Sequence, residues 1–414
     1  MALEGGVARM EYTNKEQQHR GARRTLHGMP LVVVCCALLM AACGPAPSVP
    51  AQATQPPTSP STTAPAAVSY LHVPSGFRAT VYATGLQGPR FIAFGPSGAL
   101  FVAERGAGRI LALLDPDHRG QATQRVVVAD GLDDPTSVVY ANGALYVGEH
   151  TRVTRLALGP DLRATGKQVL VTGLPGGGGH VTRTVVVGSD GALYVASGSS
   201  CNVCVESDAH RAAVWRYNAD GTGGRLFAQG LRNAVGLAVN PWNRQVWATN
   251  NGRDYLGDNA PPETVYALRD GGDYGWPRCH AGNIVDPDFG QPGACDGVVA
   301  PLATFQAHMA PLGLTFYSSG SFPSGYHGLF VAFHGSWNRS APVGYKVMFV
   351  PLDGRGTVAG APRDFASGWL QADGGVRGRP VGLAVGTEGA LYVSDDAGGT
   401  IIRIAYASPM PADG

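Results

Sequence analysis

One histidine in the sequence is a candidate general base. His180 follows four consecutive glycines and precedes Val181, Thr182 and Arg183. An imidazole with an ordinary pKa near 6.5 can accept a proton at neutral pH, and a positioned base contributes roughly 10²- to 10⁴-fold to a rate. A loop histidine that bonds only to backbone groups is the competing interpretation, so the choice depends on which groups lie beside it.

Three arginines and an asparagine stand directly before two strands that follow His180 in the sequence. Arg232 and Asn233 end a Gly-Leu-Arg-Asn motif, and Arg377 and Arg379 form an Arg-x-Arg pair. Arginine presents fork-shaped donors that suit planar carboxylates and quinone-like oxygens. If these groups converge on His180, they indicate a site for such a ligand. The alternative is that they form ordinary surface ion pairs.

A third segment offers oxygen atoms to a calcium ion. The stretch NNGRDYLGDNAPPE contains the carbonyl oxygens of Gly252 and Arg253 and the carboxylates of Asp254, Asp258 and Glu263. Calcium takes six to eight oxygen ligands, which glycine-rich turns with nearby carboxylates provide. The same residue types also build simple turns, so both interpretations stay open.

A repeated strand pattern separates these segments. Its clearest phrase starts six times, roughly 45 to 60 residues apart with one wider gap, which is in the range of propeller blades. The six copies are GALFVAE from Gly98, GALYVGE from Gly143, GALYVAS from Gly191, RQVWATN from Arg244, GLFVAFH from Gly328 and GALYVSD from Gly389. With the apolar strands around each copy, the sequence predicts an all-β, six-bladed β-propeller with four-stranded blades.

The two ends of this repeat predict how the ring closes. The last copy ends near Tyr406 without a fourth strand, whereas an extra strand, Phe77 to Leu86, precedes the first copy. We expect the N-terminal strand to complete the last blade, which protects the sheet edges. Strand direction alternates, so the loops from second to third and from fourth to first strands share one face. These loops are the long ones, and the site is expected there.

The N-terminal part is expected to lie outside the propeller, which we place at residues 69–408. Residues 1–43 contain arginines, an apolar stretch and a Leu-Met-Ala-Ala-Cys ending, which resembles a bacterial lipoprotein signal. It predicts a lipid on Cys43, export, and anchoring on the periplasmic side of a membrane. An ordinary signal peptide with a chance cysteine is the alternative. Residues 44–68 are rich in Pro, Ser, Thr and Ala and predict a disordered tether.

Composition restricts the partners and the cysteine chemistry. The formal net charge is +1 and the folded part has no basic run, so no nucleic-acid partner is expected. Four cysteines remain after the signal and its lipid site, an even number that predicts disulfides in an exported protein. Proximity favours Cys201 with Cys204 and Cys279 with Cys295. A zinc site at the CNVC motif is the alternative.

Several motifs together resemble the glucose/sorbosone dehydrogenase family, six-bladed propellers that bind pyrroloquinoline quinone (PQQ) and calcium. The matching segments span nearly everything after Tyr70 and include GGGGHVTR, SSCNVCVE, GLRNAVGLAVNP, GRDYLGDNAPPE, GDYGWPRC, HGSWNRSAPVGYK and GRPVGLAV. The resemblance implies that His180 takes the proton of an anomeric hydroxyl while hydride passes to the quinone. It also implies that Arg232 stabilises the negative charge that develops on the cofactor.

The same resemblance assigns the remaining cofactor contacts. Asn233, Arg377 and Arg379 would hold the carboxylates and rim oxygens of PQQ. The HGSWNR loop, with Trp337 and Arg339, stands where the family has a lysine that contacts PQQ.

The resemblance also assigns the metal ligands. The carbonyls of Gly252 and Arg253 would bind a calcium ion that also contacts PQQ, and Glu263 and the Tyr274 carbonyl would bind a second one.

The expected function is therefore PQQ- and calcium-dependent oxidation of an aldose, or of a related aldehyde such as sorbosone, with electrons passed to an external acceptor. The glucose-oxidising branch of the family has an acidic residue directly before its base, where this chain has Gly179, so the sugar stays open. One alternative is a calcium-dependent lactonase-type hydrolase, which needs several carboxylates and amides around the axis. The other is a non-catalytic propeller that binds partners.

Overall fold

Within residues 64–407, 24 of the strands form six antiparallel blades of four strands each. The computed structural model describes residues 64–407, and each blade in it is one sheet, so the predicted all-β, six-bladed fold is confirmed. The signal segment with Cys43, and the tether as far as residue 63, lie outside the described residues. Within 64–407 no helix has the length and apolar character to cross a membrane.

The chain enters the fold through one strand and then builds three blades in order. The strands are β1 (Phe77–Ala83); β2 (Pro89–Phe94), β3 (Leu100–Glu104), β4 (Arg109–Leu114) and β5 (Gln124–Ala129) of blade 1; β6 (Ser137–Ala141), β7 (Ala144–Glu149), β8 (Arg152–Leu158) and β9 (Ala164–Val171) of blade 2; and β10 (Arg183–Val187), β11 (Leu193–Ser197), β12 (Ala213–Tyr217) and β13 (Arg225–Gln229) of blade 3. Short 3₁₀ turns occur at Pro96–Gly98, Arg105–Ala107 and Ser324–Tyr326.

Blade 4 contains an insertion that accounts for the wider gap in the repeat. Its strands β14 (Leu237–Val239), β15 (Val246–Asn250) and β16 (Glu263–Ala267) are followed by three short strands outside the blade, and β20 completes it. The inserted strands and the completing strand are β17 (Gly272–Asp273), β18 (Cys279–His280), β19 (Ile284–Val285) and β20 (Ala303–Phe305). Strand β17 pairs in parallel with β13, so the insertion joins blades 3 and 4.

The last two blades close the ring. Their strands are β21 (Pro311–Tyr317), β22 (Gly328–Phe333), β23 (Lys346–Pro351) and β24 (Arg363–Ala366) of blade 5, and β25 (Pro380–Val385), β26 (Leu391–Asp395) and β27 (Thr400–Tyr406) of blade 6. Strand β1 pairs antiparallel with β27 as the fourth strand of blade 6, so the predicted closure is confirmed. The fold begins slightly earlier than expected, because Val68 N donates to Ala79 O and Val81 N donates to Ala66 O. Residues 66–68 thus belong to the propeller and not to the tether.

Neighbouring blades pack closely through their inner strands. A Cβ on Gly236 would lie 2.1 Å from Leu312 O, and one on Gly313 would lie 2.4 Å from Val381 O, so glycine is required for this approach. The buried Thr249 hydroxyl donates to Leu312 O at 2.7 Å and joins blade 4 to blade 5. Strands β7 and β22 are buried along their whole length because a blade lies on either side, which explains their continuous apolar sequences.

Candidate active site

A cavity of about 400 Å³ lies where the long loops of five blades meet, and its size suits a small molecule. Its floor is apolar, because Val235 and Leu312 line it and pack with Phe91 and Val381. Its wall carries the ionisable side chains Arg90, Arg105, His180, Arg232, Asp254, Glu263, His308, His334 and Arg379. Arg90 pairs with Asp396, Arg105 with Asp134 and Arg232 with Asp254, so Arg379 is the one of the four arginines without a carboxylate partner among residues 64–407.

The hydrogen bonds of His180 select the tautomer that a base requires. Its Nδ1 lies 2.9 Å from Ser199 O, which can only accept, so Nδ1 carries the proton. The Ser199 hydroxyl lies 2.9 Å from the same nitrogen and donates its own proton to Cys201 O at 2.6 Å, so it also accepts. No group of residues 64–407 bonds to Nε2, and its lone pair is free to take a proton from a substrate.

The surroundings of His180 keep the ring neutral. Burial first, and then the charge of Arg232, lowers the pKa of His180 to about 3. The nearby Arg211 and Arg183 lower the pKa further, while the bond to Ser199 opposes the shift. The ring is therefore unprotonated at pH 7.

Two buried arginines hold the glycine-rich loop that carries His180. Arg183 and Arg211 each donate to His180 O at 3.2 Å. Arg211 also donates to Pro175 O at 2.9 Å and to Gly177 O, and Arg183 donates to Pro175 O. Among the described residues neither guanidinium has a carboxylate partner, so the loop wraps around two cations. Sequence reasoning missed this role, although Arg183 stands in the HVTR motif.

Arg232 is fixed by four hydrogen bonds. Its Nε donates to Asn202 O and its Nη2 to Asn202 Oδ1, both at 2.9 Å. Nη2 also pairs with Asp254 Oδ2 at 2.7 Å, and Nη1 donates to Gly252 O at 2.6 Å. The side chain is 6 % exposed, so the cavity has a rigid positive charge in its wall. Asn202, within CNVC, is a residue that sequence reasoning did not single out.

Asn233 and His180 are placed side by side by a glycine. A Cβ on Gly198 would lie 2.5 Å from Asn233 Oδ1 and 2.6 Å from the His180 Cβ. Gly198 follows strand β11, so the end of this strand supports both side chains.

The Gly198→Ala variant is therefore expected to displace His180 and Asn233 and to lower kcat by about 10²-fold, since misplacement of about 1 Å can cost that much. Steady-state kinetics with saturating PQQ measure the effect. Gly177→Ala is the matched control in the same loop region, because no atom lies within 4 Å of its added Cβ. A Gly198→Ala enzyme as active as the control would contradict the assignment.

Arg379 brings an uncompensated charge to the cavity. Its guanidinium donates to Tyr345 Oη at 3.2 Å and to Gly335 O at 3.4 Å and stands 4.9 Å from the centre of the Tyr345 ring. Within the part of the chain that the structure describes, no carboxylate pairs with it. This charge is available to an anionic ligand.

The sequence did not indicate a hydrogen-bonded group of Arg90, His334 and Asp396 at the cavity wall. Asp396 accepts from Arg90 Nη1 at 2.7 Å and from His334 Nε2 at 2.9 Å. His334 begins the HGSWNR motif and Asp396 ends GALYVSDD, so both lie in motifs that were noted for other reasons. Their partnership depends on the contact between blades 5, 6 and 1.

Two of the predicted cofactor contacts, Arg377 and Arg339, do not line the cavity. Arg377 is exposed, because its backbone N–H donates to Trp369 O and keeps the residue in a hairpin outside the cavity. Its guanidinium lies 5.6 Å from the centre of the Tyr70 ring. Arg339 donates to Asp258 O and to Asn259 Oδ1. The expected convergence of Arg377 with Arg379 was wrong, and Arg90 and Arg105 occupy the wall in addition to Arg232 and Arg379.

The two residues expected to bind the first calcium, Gly252 and Arg253, have different surroundings. Gly252 lines the cavity, and its carbonyl oxygen accepts from the guanidinium of Arg232, so it already faces positive charge. The Arg253 side chain points elsewhere and pairs with Asp286 and with Asp288, the latter at 2.5 Å.

The two residues expected to bind a second calcium make separate hydrogen bonds. Glu263 accepts from Gly252 N at 2.7 Å and Ala310 N at 3.3 Å, and burial raises its pKa to about 7. The Tyr274 hydroxyl donates to Ala267 O, at the opposite end of β16 from Glu263. The second calcium site, at Glu263 and the Tyr274 carbonyl, therefore stays a prediction.

An aromatic pair stands at the rim. Trp337 and Tyr255 are each 66 % exposed and meet edge to face, with ring centres 5.7 Å apart. Trp337 also lines the cavity. Exposed aromatic faces at the entrance suit contact with a flat or ring-shaped molecule.

Both expected disulfides are present. Cys201 bonds to Cys204, and Cys279 bonds to Cys295. Cys201, Cys204 and Glu206 form the metal-compatible group found in residues 64–407, but sulfurs in a disulfide are not thiolate ligands. The zinc alternative for CNVC is thus not supported.

Comparison with known proteins places the fold and the cavity in context. A pyrroloquinoline quinone-dependent sugar dehydrogenase of Hypocrea jecorina is 26% identical over 390 residues, covering 80% of this chain and 89% of the relative. A pyrroloquinoline quinone-dependent pyranose dehydrogenase of Coprinopsis cinerea is 28% identical over 415 residues, and the match covers 82% of this chain but 55% of the relative. The solved PQQ domain of pyranose dehydrogenase from C. cinerea has a TM-score of 0.72 at 26% identity, covering 81% of this chain and 97% of that domain.

The fold and the charged cavity therefore define a six-bladed propeller of the class to which these sugar dehydrogenases belong, and the resemblance seen in the sequence is confirmed. The chain itself belongs to the TrAA12-like family, whose model matches residues 71–283 and 291–407.

Proposed function

We propose that this quinoprotein oxidoreductase oxidises the anomeric centre of an aldose, or a related aldehyde, with PQQ as the hydride acceptor and His180 as the base. The observation that carries the proposal is that one cavity holds an imidazole Nε2 free of hydrogen bonds among residues 64–407, the fixed guanidinium of Arg232 and the carboxylate-free guanidinium of Arg379. PQQ is an anionic quinone, and Arg379, which lacks a carboxylate partner among residues 64–407, fits its charge. Oxidation of sugars agrees with the named relatives.

PQQ, when bound, would supply a quinone that accepts a hydride, and with it two electrons, from the sugar carbon. His180 Nε2 accepts the hydroxyl proton, while Nδ1–H stays bonded to Ser199. Arg232, fixed by Asn202 and Asp254, holds positive charge beside the cofactor without reorganising. The apolar floor with Val235 limits water below the reacting atoms.

Calcium is part of the proposal at one position. The Gly252 carbonyl would hold the ion together with the Arg253 carbonyl, and the ion would supply Lewis-acid polarisation of the cofactor. The support for this position is that the Gly252 oxygen lines the cavity near the Asp254 carboxylate; the Arg232 N–H that now donates to this oxygen at 2.6 Å would have to leave it when the ion binds.

Reconstitution tests the function directly. Residues from Ala64 onward, mixed with PQQ with and without calcium, are expected to bind PQQ and to reduce a dye acceptor when an aldose or aldehyde is added. A panel of both classes would identify the substrate and separate sugars from aldehydes such as sorbosone. Lack of PQQ binding in both metal conditions would refute the proposal, and equal activity with a chelator would refute the calcium part.

The lowered pKa of His180 gives a pH prediction. Because burial and Arg232 disfavour the imidazolium, the ring is expected to stay neutral from pH 8 down to below pH 5. NMR of the ring carbon protons before PQQ is added measures this, with a His180→Gln protein to assign the signal. A midpoint near the ordinary value of 6.5 would contradict the buried, arginine-flanked setting.

Anchoring and electron transfer to a partner are proposed from the sequence and the reaction. A lipid on Cys43 would place the propeller on the periplasmic side of a membrane, where the electrons would pass to an external acceptor. Labelling with a radioactive fatty acid is expected in the native chain and not in Cys43→Ser. Equal labelling of both would rule out that attachment site.

A further inference from the structure

The four-residue loop Cys201–Cys204 lies between the two residues to which the proposed function assigns the chemistry. It follows strand β11 and is closed on itself by the Cys201–Cys204 disulfide. None of its side chains has a role in proton or hydride transfer as described above. Its backbone and Asn202, however, contact partners of both His180 and Arg232.

The first connection runs from the loop to the base. The carbonyl oxygen of Cys201 accepts the only proton of the Ser199 hydroxyl at 2.6 Å. With that proton committed, Ser199 Oγ can act toward His180 Nδ1, 2.9 Å away, only as an acceptor. The position of the Cys201 carbonyl therefore supports the tautomer that leaves Nε2 free.

The second connection runs from the loop to the cation. Asn202 O and Oδ1 accept from Nε and Nη2 of Arg232, both at 2.9 Å, so one residue holds one edge of the guanidinium. The Asn202 amide also bonds to both backbone groups of Asp254, accepting from N at 2.8 Å and donating to O at 3.1 Å. Asp254 in turn pairs with Arg232, and Trp276 Nε1 donates to Asn202 O at 3.3 Å.

We propose that this disulfide-closed loop is the common positioning element of the active site, setting His180 through the Cys201 carbonyl and Arg232 through Asn202. The proposal rests on the proposed function. The cross-link matters because it limits the conformations of a short, partly exposed loop. Without it, the Cys201 carbonyl and Asn202 can move independently, and the base and the cation lose their fixed relation.

The test compares two disulfides in the full propeller. The Cys201→Ser, Cys204→Ser protein is expected to lose at least about tenfold in kcat per bound PQQ and to bind PQQ more weakly, because misplacement near 1 Å is costly. Cys279→Ser, Cys295→Ser is the matched control, since it removes a disulfide whose residues make no hydrogen bond to His180, Ser199 or Arg232 among residues 64–407. Its kcat per bound PQQ is expected to stay within about twofold, whatever its loss of thermal stability.

Expressing kcat per bound PQQ separates an effect on the position of the catalytic groups from an effect on folding. A merely structural loop would lower the amount of PQQ-binding protein while each loaded site kept its turnover, and that result would overturn the proposal. Asn202→Ala keeps the disulfide and tests the same idea if the double variant does not fold. It is expected to weaken PQQ binding and kcat, with Asn218→Ala in the opposite-face turn 218–222 as its control.

The proposed function and the loop fail in different ways. If the unaltered protein neither binds PQQ nor oxidises a sugar, the proposed function is wrong and the loop proposal falls with it. If the unaltered protein is active and both Cys201→Ser, Cys204→Ser and Asn202→Ala retain full turnover per bound PQQ, only the loop proposal is wrong.

Discussion

Replacement of His180 by alanine is expected to lower kcat by roughly 10²- to 10⁴-fold, the usual contribution of a positioned general base. The substitution removes the Nε2 lone pair but leaves the backbone carbonyl that Arg183 and Arg211 hold, so the loop keeps its anchors. PQQ affinity is expected to change far less than kcat. Single-turnover absorbance changes of the loaded protein measure the chemical step apart from binding.

His210→Ala is the matched control for this change. His210 stacks on Trp215, with ring centres 4.0 Å apart, and does not line the cavity. Its variant is expected to retain full turnover. A His180→Ala protein with kcat within tenfold of the control would assign the base to another group. Joint loss of turnover and PQQ would mean that His180 is structural.

Arg232→Lys is expected to show the second largest effect, a loss of roughly 10²- to 10³-fold in kcat, as found for loss of a preorganised electrostatic contact. Lysine retains a positive charge but cannot reproduce the bonds to Asn202, Gly252 and Asp254 at once. The charge then has no fixed position beside the cofactor. Kinetics per bound PQQ measure the loss.

The same substitution at a surface arginine provides the control. Arg225 pairs with Asp270 at 2.5 Å on an exposed part of blade 3, and Arg225→Lys is expected to leave kcat unchanged. If Arg232→Lys keeps turnover per bound PQQ within about twofold of that control, charge alone is sufficient and the fixed geometry of Arg232 has no catalytic role.

The candidate site was partly predictable because its residues follow recognisable strand phrases. His180, Arg232, Asn233, Gly252, Glu263, Trp337 and Arg379 were named from motifs, and all of them line one cavity. Arg377 was misplaced although it lies two positions from Arg379, because its backbone joins the hairpin that bridges Leu370 and Val376. A local pattern does not show which of two neighbouring side chains a distant hairpin will turn outward.

Residues missed by sequence reasoning act through partners from other blades. Arg90 and His334 are joined by Asp396, and the three come from blades 1, 5 and 6. Asn202 holds Arg232 and Asp254, which lie in different loops. A single motif does not indicate such pairings, since the hydrogen bonds form only when the blades pack together.

The sequence by itself determined the six blades, the closure of blade 6 by β1 and the two disulfides. Strand periodicity, turn glycines and cysteine spacing are local, so they can be read in order along the chain. The tertiary structure decided which loop residues share the cavity, which tautomer His180 adopts and which charges remain unpaired. Those properties depend on the ring bringing loops from distant parts of the chain within hydrogen-bond range, where burial and neighbouring charges set the chemistry of each group.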